Sequence, residues 1–87
     1  MKNKYFDTNT ESQRQRLLAR LRHAPITTLE ARHELDILGV APRVFELRHL
    51  FGYNIQTYWI DGKNPGGGRH KVAKYVLFSG VWKGGKQ

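Results

Sequence analysis

Hydrophobic positions recur along the chain with two different periods. Up to residue 52 the spacing is close to 3.6, and beyond it the spacing is two, which predicts helices first and strands afterwards. Leu17, Leu18, Leu21 and Ala24 form one stripe on a helix over ESQRQRLLARLRHA, and Arg14, Arg16, Arg20 and Arg22 surround it. Thr10 and Ser12 are N-cap residues, and Thr10 with Gln13 has capping-box spacing. Pro25 ends this helix, because a residue before proline is pushed out of the helical region. Thr27 with Glu30 makes a second capping box, opening TLEARHEL with Ala31 and Leu35 on its buried face and Leu29 on the flank. An apolar turn, Ile37 to Val40, follows with Gly39 as its breaker. Pro42 then starts a third helix in APRVFELRHLFG, where Val44, Leu47 and Phe51 line one stripe and Gly52 suits a left-handed cap.

After Gly52 the alternation takes over. YNIQTYWI sets Ile55, Thr57 and Trp59 against Asn54, Gln56 and Tyr58, and KVAKYVLF sets Ala73, Tyr75 and Leu77 against Lys74. Between them DGKNPGGGRH is turn chemistry throughout, so the two strands form a hairpin with a long basic tip. Residues 1–9 read as a polar arm carrying Tyr5 and Phe6. Residues 80–87 read as a flexible tail, since SGVWKGGKQ holds too much glycine and lysine for a regular element, with Trp82 placed to tuck back. The domain proper is then 10–79. Two short helices joined by a glycine turn are the signature of a helix-turn-helix. Three helices followed by a β-hairpin give an α+β winged helix-turn-helix.

The stretch TTLEARHELDILGVAPRVFELRHLFGYNIQTYWI, with GGGRHKVAKYVL after it, resembles the small helix-turn-helix domains common in bacteriophage and prophage genomes. The shared features are TTLEA near the second helix, a hydrophobic-x-ELR run in the third and G-Y/W-x-I opening the wing, over about residues 12 to 78. Phe45 departs from the small or polar residue usual at its place. The resemblance implies a DNA-binding fold used in transcriptional control or as a recombination accessory factor.

Composition narrows the class further. Eighty-seven residues make one small domain. The absence of cysteine excludes a disulfide scaffold and thiolate metal sites. No apolar run approaches the roughly 18 residues of a membrane span, and MKNKYFDTNT has no signal-peptide core, so a cytoplasmic protein without membrane contact is expected. Fifteen Lys and Arg against seven Asp and Glu give +8, which favours a polyanionic partner. Residues 1–24 hold six bases and two acids and residues 52–87 six and one, while the middle third is slightly acidic.

Double-stranded DNA is therefore the expected partner, and the third helix its expected reader. With the apolar stripe inward, Arg43, Phe45, Glu46, Arg48 and His49 remain for base edges: Arg43 for guanine, Glu46 for cytosine, Phe45 for a thymine methyl, Arg48 and His49 for base or phosphate. Arg43 and Glu46 are also spaced to pair with each other, and Arg48 also suits loop carbonyls. Lys63, Asn64, Arg69, His70 and Lys71 at the wing tip suit phosphates or a minor groove. Thr28 lies where the second helix offers N–H groups to a phosphate. Six cations on phosphates would give a slope of log affinity against log salt of about −5.

Enzyme readings find no support. His23, His33, His49 and His70 include no HxH or HExxH pair, GGGRHK lacks the GK[ST] ending of a phosphate loop, and the carboxylates are scattered. No cofactor or metal is expected. A homodimer is expected, because one recognition helix covers few base pairs. The alternative is a protein-binding module, such as a phage inhibitor of a host nucleic-acid-processing or defence complex, using Phe45, Leu50, Tyr58 and Trp82 as an apolar patch.

Overall fold

The computed structural model describes residues 9–63 and 69–84. Its elements run α1 (Thr10–Leu21), β1 (Ile26–Thr27), α2 (Thr28–Leu35), α3 (Val40–His49), β2 (Tyr53–Lys63) and β3 (Arg69–Val81). Three helices and an antiparallel hairpin confirm the α+β winged arrangement.

α1 is capped one residue earlier than its sequence suggests. Asn9 Oδ1 accepts from the Ser12 amide at 2.8 Å, and asparagine outranks threonine as an N-cap. The helix closes at Leu21, three residues short of Ala24, which is exposed. Arg20 organises the turn by donating to the carbonyls of Ala24 at 3.0 Å and Pro25 at 2.8 Å. That turn delivers Ile26 to β1, a strand too short to have a periodicity of its own. Ile26 pairs with Tyr75 of β3 and is fully buried.

The capping box of α2 forms as the spacing predicts. Thr27 Oγ1 accepts from the Glu30 amide at 3.1 Å, and Glu30 Oε1 accepts from the Thr27 amide at 2.9 Å. The turn after α2 differs from expectation. Its left-handed residue is Asp36, at φ 55°, a conformation that aspartate tolerates better than most residues. Gly39 instead stands as the N-cap of α3. α3 thus begins two residues ahead of Pro42, which still lies in the first turn where no hydrogen bond is lost. Gly52, at φ 78°, donates to Arg48 O at 3.0 Å and supplies the left-handed cap foreseen for it.

The buried side of α3 corrects the predicted stripe. Val40, Val44, Leu47 and Arg48 face inward, whereas Phe51 falls past the helix end and is 53% exposed. The sheet order is β1-β3-β2, all antiparallel. β3 continues through Ser79 and Gly80 to Val81, which pairs with Tyr53 beside a register shift, so part of the glycine-rich tail is strand. Trp82 then donates its amide to Gly52 O at 2.9 Å, tying the end of the sheet to the end of α3. One core joins the layers: Leu17, Leu21, Ile26, Ala31, Ile37, Val40, Val44, Leu47, Ile55, Ala73 and Tyr75. Each large aliphatic there contributes roughly 1.5–3 kcal/mol of burial, so α3 is seated on the core by Val40, Val44 and Leu47.

Candidate nucleic-acid interface

α3 presents Ala41, Pro42, Phe45, His49 and Leu50 to solvent. Its two arginines are turned elsewhere. Arg48 is 5% exposed; its Nε donates to Ile55 O at 2.6 Å and its Nη2 to Thr57 Oγ1. Its guanidinium also stacks on the Trp82 ring, 4.4 Å from the centroid. Burial draws this guanidinium below its ordinary pKa, and Tyr75 opposes that draw. The expectation of Arg48 at a base or phosphate is therefore corrected: it lies inside and clamps α3 to β2. A long side chain one residue after Leu47 fell just outside the apolar stripe, and the partners that draw it inward are atoms of β2, seven and nine residues on, beyond the turn at Gly52.

Arg43 and Glu46 do pair. Arg43 Nε reaches Glu46 Oε1 at 2.8 Å and its Nη2 reaches Oε2 at 3.0 Å, the forked geometry of a strong charge-assisted pair. Arg43 also donates to Gln13 at 3.3 Å, and Arg14 adds 3.0 Å bonds to Glu46 and Glu11. Glu11–Arg14–Glu46–Arg43 is thus a belt between α1 and α3. Burial pushes the Glu46 carboxyl upward, yet the hydrogen bonds from Arg43 and Arg14 outweigh it and leave the pKa below its ordinary value. Arg14's own hydrogen bonds to Glu46 and Glu11 raise its pKa. Neither Glu46 nor Arg43 stands free to reach a base while this belt holds, contrary to their expected cytosine and guanine contacts.

Phe45 and His49 are displayed as expected. Phe45 is 59% exposed. The His49 ring lies 4.2 Å from it and 6.1 Å from Trp82, so Trp82, His49 and Phe45 form a row of rings along the helix. Sequence spacing placed Phe45 and His49 together, one turn apart. Trp82 does tuck back as expected, and its place beside His49 and Arg48 is set by the hairpin.

A trough runs between α3 and the wing. One part, about 270 Å³, is lined by Ala41, Val44, Phe45, Arg48, His49 and Tyr75. The other, about 370 Å³, shares Ala41 and Tyr75 with the first and adds Thr28, Leu29, Arg32, Trp59, His70 and Lys71. Thr28, at the start of α2, lines the α2 end of the trough. His70 and Lys71 line its wing side, Lys71 holding Asp61 at 2.8 Å on an exposed strand and keeping that carboxyl's pKa low. Such exposed pairs contribute little in water, so a phosphate can replace the aspartate. Lys63 and Arg69 are register partners at the strand ends; their side chains, and all of Asn64, lie outside the described residues. Arg32 and Trp59, which the sequence did not single out as site residues, also line the trough, and Trp59 is 53% exposed.

A helix-turn-helix whose second helix lies beside a β-hairpin, with a trough between them, defines a winged helix-turn-helix, a class of domain that points to DNA as its partner. The profile of the winged helix-turn-helix domain family matches residues 12–80, and the chain belongs to that family. Searches of curated proteins and of solved structures found no match. Among the described residues no helix is long and apolar enough to cross a membrane.

Proposed function

We propose that this protein binds double-stranded DNA in a sequence-specific manner, α3 entering the major groove and the wing following an adjacent phosphate ridge. In this reading it is a cytoplasmic transcriptional regulator or excisionase-like recombination accessory factor of the kind phages and prophages carry, and it acts as a homodimer on paired half-sites. The observation that carries the reading is the trough shared by the start of α2, the exposed side of α3 and the wing, with Arg32, His70 and Lys71 along it. A helix with this outline fits the major groove, and cations on a flanking hairpin suit the backbone. Selection of bound sequences from a random duplex pool is the test. The expected result is an enriched motif, with half-sites about one helical turn apart if two copies bind together. Failure to retain any duplex at low salt would overturn the reading.

One observation favours a second reading, a protein-binding module. The outer side of α3 is aromatic and apolar rather than cationic, and Tyr58, Ile60 and Phe78 are exposed on the hairpin. Exposed apolar patches of this kind mark protein contacts. Heparin retention followed by a gel shift separates the two: failure to bind any duplex at low salt, with tight binding to a protein, decides for the second.

A further inference from the structure

We propose that α3 reads thymine through its C5-methyl group, with Phe45 as the specificity-determining side chain. This rests on the DNA-binding reading above and adds what the helix recognises. The two guanidinium groups that would make bidentate contacts to guanine are engaged elsewhere, Arg43 on Glu46 and Gln13, Arg48 on Ile55 O and Thr57. What α3 offers is apolar: the Phe45 ring, with Ala41 and Pro42 one turn before it, all exposed.

In the major groove the group on a base edge that suits an apolar side chain is the thymine methyl, and alanine and phenylalanine are among its usual partners. The Phe45 ring is also braced before any ligand arrives. His49 lies 4.2 Å from it, Trp82 stands behind His49, and the Trp82 amide is tied to Gly52 O. A braced ring has less rotamer freedom to lose on binding. The surrounding charge suits a polyanion, since the chain carries +8 and Arg32, His70 and Lys71 flank the trough.

The test uses the whole 87-residue chain and a site selected from a random duplex pool. In a second version of that duplex deoxyuridine replaces thymine, which removes the methyl groups and keeps every hydrogen-bonding edge. The wild type is expected to bind the uracil duplex about four-fold more weakly for each methyl contacted, the equivalent of roughly 0.8 kcal/mol per buried methylene-sized group. Phe45→Ala is expected to bind both duplexes alike, and Phe45→Leu to keep part of the difference. Melting followed by circular dichroism shows that the variants are folded, as the exposure of Phe45 predicts. Equal binding of the two duplexes by the wild type, or a thymine preference that survives Phe45→Ala, overturns the methyl proposal and leaves DNA binding intact. Absence of binding to any duplex at low salt overturns the DNA reading itself, and this proposal with it.

Discussion

Arginine in this protein is chiefly a builder. Arg16 donates to Leu35 O at 2.9 Å, Arg20 holds the turn before β1, Arg14 and Arg43 grip Glu46, and Arg48 reaches the β2 backbone. The planar fork of donors makes arginine suited to satisfying several carbonyls at once in a domain with few core residues. Replacing Arg48 with alanine removes hydrogen bonds from a charged donor and leaves the Ile55 carbonyl without that partner. Urea denaturation is expected to show a loss of about 2–3 kcal/mol. A second consequence concerns acid. The folded-state pKa of Glu46 is depressed below its ordinary 4.5, so its contribution to stability is complete above that value and is lost as pH falls through the depressed one. Urea midpoints measured from pH 6 down to pH 2 should therefore fall less steeply for Glu46→Gln than for the wild type.

Among the elements, the joint between α2 and α3 governs how the reader is presented. α2 is held at its start by the Thr27–Glu30 box and at its end by Asp36 in the left-handed region. Thr27→Ala is expected to cost about 1 kcal/mol. Asp36→Val, which puts a branched side chain where the backbone disfavours one, is expected to cost about 1–2 kcal/mol, whereas Asp36→Gly should lie within about 0.5 kcal/mol of wild type. Thermal melts of the three variants check the order. The capping box could be recognised because both partners lie within four residues. Asp36 could not, because Gly39, three residues on, carries the stronger local signal and the end of α2 is set by packing of Ile37 into the core.

For the whole molecule, the net charge of +8 overstates what faces a ligand. With the arginines of α1 and α3 engaged internally, the lysine and arginine side chains that line the trough among the described residues are Arg32 and Lys71. Two phosphate contacts give a slope of log affinity against log salt of about −2, shallower than the −5 or so implied by six. Lys71→Ala should reduce that slope by about 1 and weaken specific and random duplexes alike. A titration series from low to moderate salt measures both.

The order of helices and hairpin, the Thr27 capping box and the Gly52 cap could be read from the chain because each rests on neighbours within a turn or on a regular alternation. The outward display of Phe45 and His49 was legible for the same reason, being the complement of Val44 and Leu47 on one cylinder. Tertiary structure decided which polar side chains remain for a partner. Arg48 finds its acceptors on β2, Arg43 and Glu46 meet Arg14 from another helix, and Trp82 reaches His49 only once β3 has paired back along β2. The Arg14 and Trp82 contacts join segments remote in the chain, and those of Arg48 cross the turn between α3 and β2, where neither a helical stripe nor an alternation specifies them.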